Sequence, residues 1–210
     1  MKRNIIAAAT TLLLLFVAAL NPSVASAAVT AEQVAQKAAA VVNNSKGITA
    51  TFNLSTAGHN TSGTFRSSGK KYSVILPEVG SWYNGKDLYT YNPRTEETTV
   101  ITPTAQELLE SNPLLYVKGG AGNFTYSFSK TKMAGKYVVD LLPRNNKSGL
   151  KKLTFVVNAS TFHPEKVTVV TDGGTSVLSV TSLKTDVESP ASAFEYPKNQ
   201  YPKAEVIDLR

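Results

Sequence analysis

Hydrophobic positions along the chain follow first a helical period and then, for most of its length, a strand period. Residues 30–44 read TAEQVAQKAAAVVNN, with Val34, Ala38, Val41 and Val42 at helical spacing. Thr30 and Gln33 make a capping-box pair at the start of this segment, and Gly47 follows its Asn43-Asn44 end. From Ile48 the period drops to two. Ile48, Ala50, Phe52 and Leu54 alternate with Thr49, Thr51, Asn53 and Ser55, as in a half-buried strand. Five more short strands are predicted, in SGTFRSS, KYSVILP, Trp82-Tyr83, KDLYTY and ETTVI. Turn signals separate them: a turn region beginning at Gly58, Ser68-Gly69-Lys70, a hairpin at Asn84-Gly85, and Asn92-Pro93-Arg94-Thr95. With no helix between them, the strands pair antiparallel.

The strand period then breaks. Residues 102–122 read TPTAQELLESNPLLYVKGGAG. Thr104 and Glu107 make a second capping box, and Leu108-Leu109 begin an apolar helical face. Ser111-Asn112-Pro113 stops that helix, and a second one through Leu114, Leu115 and Tyr116 ends at Gly119, Gly120 and Gly122. Alternation resumes at Phe124, Tyr126 and Phe128 and continues through KYVVDLLP, KKLTFVVN, PEKVTVV and TSVLSVTSLKTDV. The Pro-containing tail, residues 194–210, is expected to pack as irregular extended chain. The sum is an α+β fold, mainly antiparallel β, with about eleven strands, an N-terminal helix and a mid-chain helical pair. No linker or repeat divides residues 28–210, so one domain is expected. A sheet of that size curls. The few helices cannot fill its hollow, so either side chains fill it or it holds an apolar ligand beneath a helical lid.

Composition adds the compartment. Lys2 and Arg3 precede an apolar run over residues 5–20, and Ala25-Ser26-Ala27 follows Pro22. These features predict a secretory signal, residues 1–27, cut after Ala27. The chain has no cysteine, hence no disulfide, no thiolate metal site and no lipid-modified cysteine. A soluble periplasmic protein is the expectation. The net charge is +7, of which the signal supplies two, and the lysines are scattered with no cluster beyond a pair. Such a surface suits solubility and does not suggest nucleic-acid binding.

Candidate chemistry is sparse. His59 and His163 sit among turn residues, with no carboxylate or histidine at metal-ligand spacing. Ser127-x-x-Lys130, Ser67-x-x-Lys70 and Ser68-x-x-Lys71 match a penicillin-binding spacing. That chemistry needs the serine at a helix start, whereas these lie on strands or in a turn. Glu96 and Glu97 are adjacent on a strand and so diverge. Asp140 is a single acid on a strand. The expectation is a protein without catalysis, metal or cofactor.

The order of these pieces resembles the LolA-like outer-membrane lipoprotein carriers over essentially the whole chain after residue 27. The resemblance rests on the helix leading into ITATFNLS and on Ser62-Gly63-Thr64-Phe65. It rests further on Asn84-Gly85-Lys86 with Leu88, Tyr89, Tyr91, Asn92 and Pro93, on ELLESNPLLYV, and on FEYPKNQYPKAEVIDLR. It implies an unclosed half-barrel of about eleven strands under a helical lid. The hollow would shield the acyl chains of a lipoprotein, or of another lipid, between an inner-membrane donor and an outer-membrane acceptor. Such a carrier is expected to act as a monomer. Burial of each methylene contributes about 0.8 kcal/mol, so acyl chains in water need a greasy container and no catalyst.

The cavity lining expected on this basis is Phe52, Leu54, Phe65, Tyr72, Val74, Trp82, Leu88, Phe124, Tyr126, Phe128 and Phe155. The expected lid residues are Val34, Val41, Leu108, Leu109, Leu114, Leu115 and Tyr116. In the family an Arg of a Lys-Arg-Pro element latches the lid. Here Gly69 stands near that position with no Pro after it, leaving Arg66, Lys70 or Lys71 as substitutes. The competing expectation is an envelope protein with a filled core that uses the same half-barrel to bind a protein partner.

Overall fold

The computed structural model describes residues 28–105, 107, 108, 124–145 and 149–210. Helix α1 (Ala31–Asn43) begins with the expected capping box, in which the Thr30 hydroxyl accepts from the Gln33 backbone N–H and the Gln33 side chain accepts from Thr30 N–H. The strands then run in sequence as β1 (Ile48–Thr56), β2 (His59–Ser68), β3 (Lys71–Leu76), β4 (Val79–Tyr83), β5 (Leu88–Asn92) and β6 (Glu97–Ile101). After the mid-chain region come β7 (Phe124–Phe128), β8 (Lys136–Pro143), β9 (Leu150–Asn158), β10 (Pro164–Thr171), β11 (Gly174–Thr185) and β12 (Glu205–Asp208). All twelve form one open sheet in the order β12-β6-β5-β4-β3-β2-β1-β11-β10-β9-β8-β7.

This is the expected unclosed, mainly antiparallel half-barrel, with one strand more than expected. The tail is not wholly irregular. It makes two short 3-10 turns, Ala191–Phe194 and Lys198–Gln200, and then pairs as β12 in parallel with β6. Two other boundaries move. His59 opens β2 rather than sitting in a turn, because the β1–β2 connection is a tight pair, Ala57-Gly58, with φ of 49° and 81°. Glu96 belongs to the turn before β6, with φ of 54°.

The register sorts every strand residue onto one of two faces. On the inner face lie two apolar clusters that share Leu178. The first joins Val139, Leu141, Leu153, Phe155, Val157 and Val167 to Ala31, Val34 and Ala38 of α1, which packs on β7, β8 and β9. The second joins Ile48, Ala50, Phe52, Phe65, Tyr72 and Leu88 of strands β1–β5. The expected signal, residues 1–27, lies outside the described residues. No helix among the described residues is long and apolar enough to cross a membrane.

Candidate functional site

The second inner cluster is the candidate site. Phe52 faces Gly63 across the β1–β2 ladder, and its ring occupies the space a side chain at Gly63 would need. A Cβ there would stand 2.6 Å from Phe52 Cζ and 2.8 Å from the Ile75 carbonyl oxygen. That close approach explains physically the glycine of Ser62-Gly63-Thr64-Phe65. Phe65 pairs with Val74, and Tyr72 pairs with Tyr83, which pairs in turn with Leu88. The Tyr72 and Tyr83 rings lie 5.4 Å apart. Leu54, Val74, Leu76, Tyr83, Ile101, Leu178 and Leu183 pack half-buried around this cluster. From outside the sheet, the described residues that pack on it are Val42 at the end of α1 and Leu108. Leu108 is placed by the second capping box, in which the Thr104 hydroxyl and the Glu107 carboxylate exchange bonds with each other's backbone N–H. Those bonds hold the Glu107 carboxyl below its ordinary value.

Of the expected lining residues, Phe52, Leu54, Phe65, Tyr72, Val74 and Leu88 come together here. Phe124 and Phe155 belong instead to the cluster under α1, with Tyr126 packed against it. Burial, with Glu32 nearby, holds the Tyr126 phenol above its ordinary value. Phe128 has inner parity but lies on the edge strand, 47% exposed, with its ring 6.0 Å from that of Tyr137. Trp82 is the clear departure. It pairs with Tyr89 on the outer face, beneath Tyr196 and Tyr201 of the tail.

The reason is parity across the turn. Tyr83 pairs with Leu88 over a four-residue connection, and a loop of even length, whether of two or four residues, pairs odd positions with even ones. Asn84 Oδ1 accepts from the backbone N–H groups of Lys86 and Asp87, and this ties the longer loop. Tyr83, missed from the sequence, therefore takes the inner face. The signal was the even length of the turn, which an Asn-Gly hairpin shares and which places Leu88 with Tyr83 rather than Trp82.

Of the expected lid residues, Val34 is buried in the first cluster, and Leu108 packs on the second. Val41 is half-buried, and its neighbour Val42 makes the contact with the second cluster. Leu109, Leu114, Leu115 and Tyr116 lie outside the described residues. None of the suggested latch substitutes reaches the inner face. Arg66 pairs with Thr49 and Ser73 on the outer face, Lys71 alternates with inward Tyr72, and Lys70 sits at the exposed turn.

The outer face of the same strands is closed by the chain itself. Phe194 is buried in a turn packed on β2, β3 and β4. Tyr196 stacks on Tyr89 with ring centroids 5.8 Å apart, and Tyr201 on Tyr91 at 4.0 Å. The Thr98 hydroxyl donates to the Tyr196 phenol oxygen at 2.8 Å. Arg210 ends the tail with one N–H on the buried Asp87 carboxylate at 2.9 Å and others on Asp208.

No group of three potential metal ligands occurs among the described residues. Comparison with curated proteins finds no match. Among solved structures, the chain is similar to an uncharacterized conserved protein from Thermus thermophilus. The two share 10% identity at a TM-score of 0.58, over 85% of this chain and 98% of that one. It also resembles a putative outer membrane lipoprotein-sorting protein domain from Vibrio parahaemolyticus (14% identity, 82% of this chain and 98% of that one, TM-score 0.46). A third is the Mycobacterium tuberculosis lipoprotein LppX (8% identity, 76% and 97%, TM-score 0.46). The first of these shares the fold. A family model, that of the outer membrane lipoprotein carrier protein LolA, matches residues 22–173. By that match over most of its length, the chain belongs to the LolA outer membrane lipoprotein carrier family.

Proposed function

We propose that the protein is a periplasmic carrier that shields the acyl chains of a lipoprotein, or of a related lipid, against the inner face of β1–β5, without catalysis. One observation carries the proposal. Ile48, Ala50, Phe52, Phe65, Tyr72 and Leu88 form a continuous apolar cluster on the inner face, each 6% exposed or less, to which the described residues outside the sheet contribute Val42 and Leu108. The corresponding surface of β7–β9 is instead packed by the length of α1. An acyl chain laid on the first surface gains about 0.8 kcal/mol for each methylene removed from water. Family membership supports the same cargo class. One described groove elsewhere, lined by Asn53, Ser62, Glu78 and Ser179 with Leu54, Pro77 and Val177, is open and mixes polar with apolar surface.

The test is native mass spectrometry of protein purified without detergent, followed by titration with a fluorescent phospholipid. Co-purified lipid and saturable binding are expected, with binding weakened at least tenfold in Leu54→Glu, which puts a charge beside Phe52 at a half-buried position. Absence of both co-purified lipid and saturable binding overturns the carrier reading and leaves the protein-partner one.

A further inference from the structure

The strand-connecting loops at the two ends of the half-barrel differ in charge, and at one end exposed lysines dominate. At one end lie the loops 44–47, 69–70, 84–87, 129–135 and 159–163, which enter β1 or join β2–β3, β4–β5, β7–β8 and β9–β10. They carry Lys46, Lys70, Lys86, Lys130 and Lys132, all exposed. None of these five is in an ion pair among the described residues. Their one acid, Asp87, is 5% exposed and bound to Arg210. At the other end, loops 57–58, 77–78, 93–96, 144–149 and 172–173 carry Glu78, Glu96 and Asp172 against Arg94 and Arg144 among the described residues. Nearby acids at the basic end are Asp186, which accepts from the Lys46 backbone N–H, Glu188, Glu195, which contacts Asn84, and Glu107, which caps its own turn. Asp208 and Glu165 are tied to Arg210 and Lys136.

We propose that this basic end docks on an anionic lipid bilayer surface. Three features favour lipid over an acidic protein. All five cations are lysines, flexible point charges suited to a diffuse headgroup field rather than the fixed fork that a paired carboxylate selects. They are spread along the rim rather than gathered in a pocket, so only an extended surface meets them together. Met133, 47% exposed, follows Lys132 in the longest of these loops and offers an apolar side chain to the interface. Docking rests on the carrier proposal only for the reason to meet a membrane, since the rim lysines stand apart from the apolar cluster.

The experiment is sedimentation of protein expressed from the full chain with vesicles of phosphatidylglycerol and phosphatidylcholine, against vesicles of phosphatidylcholine alone. The difference between the two removes any general apolar affinity. Tighter partitioning onto the anionic vesicles is expected, falling as salt rises. Each Lys→Gln change at 46, 70, 86, 130 or 132 should weaken it about fivefold. Arg94→Gln and Lys203→Gln, at exposed positions away from the rim, should leave it unchanged. Equal partitioning onto both vesicles, or an equal loss in Arg94→Gln and Lys203→Gln, overturns the proposal. Fluorescent-phospholipid titration of the rim variants separates the two readings. Cargo binding should survive all five substitutions, and its failure in the unsubstituted protein overturns the carrier reading while leaving vesicle docking to stand or fall on its own.

Discussion

Strands β1–β6 present two faces of similar raw material and opposite fate. Each face has a large aromatic side chain seated over a glycine: Phe52 over Gly63 inside, and Trp82 over Gly80 outside, where a Cβ would meet the indole at 2.3 Å. Outside, the chain returns to cover its own aromatics with Phe194, Tyr196 and Tyr201, ring against ring, and bonds the Tyr196 phenol to Thr98. Inside, Val42 and Leu108 are what the described residues add to the sheet's own side chains. A face sealed by the chain has its stability built in. The inner cluster, whose core residues are 6% exposed or less, is the face on which the proposed cargo would pack.

The largest effect should come from unsealing the outer face. Phe194, 1% exposed, anchors the tail, and Phe194→Ala should cost about 3–5 kcal/mol in chemical denaturation. Trp82 is the only tryptophan, so its emission should shift to the red as the tail loosens. Fluorescent-lipid affinity should change little. If Phe194→Ala abolishes lipid binding while the protein stays folded, the two faces are coupled and the division between them fails.

A smaller, paired effect comes from the two glycines. Alanine at either position forces a Cβ against a ring, an overpacking cost of about 1–3 kcal/mol. At Gly63 the obstacle includes the Ile75 carbonyl as well as Phe52 and Leu76, so Gly63→Ala should be the worse of the two. The signatures should also separate. Gly63→Ala should alter lipid affinity and leave Trp82 emission alone, and Gly80→Ala should do the reverse. Equal changes in both readouts from either variant would collapse the comparison.

Much of this architecture was legible because period-2 alternation and capping chemistry are local signals. Thr30 with Gln33 and Thr104 with Glu107 cap as the sequence says, and strands β1–β11 follow the predicted order. The site was legible only where register could be carried from one strand to the next. From Ile48 through Phe65 to Tyr72 and Val74, two-residue turns swap odd and even positions at each step, the register can be counted across them, and those residues meet. Across Asn84–Asp87, as across any turn of even length, odd and even positions swap, so Trp82 and Leu88, both even, lie on opposite faces. The tail was illegible for a different reason. β12 is four residues long and pairs in parallel with β6, a contact between segments about a hundred residues apart that no local pattern announces.

The finest test of the sealed face is its ionic clasp. Arg210 side-chain and backbone N–H groups bond the Asp208 carboxylate and lower its pKa from 3.8 to about 2, and the same guanidinium reaches buried Asp87. A carboxyl with a folded pKa below its unfolded value favours the folded, tail-docked state. That contribution is fully present above pH of about 4 and is lost as pH falls through about 2. Trp82 emission should therefore report a loosening of the tail confined to that acid window, with no matching change between pH of about 5 and 8. Arg210→Ala removes the donor that depresses Asp208, so the acid step in emission should move upward toward the ordinary carboxylate range and shrink. Asp208 is fully exposed, so added salt should blunt this step in the parent protein while leaving the stacking of Tyr196 and Tyr201 on the outer face unaffected. An acid transition in Trp82 emission identical in parent and Arg210→Ala would mean that the aromatic stack alone holds the tail, and that the outer face is sealed by burial without help from charge.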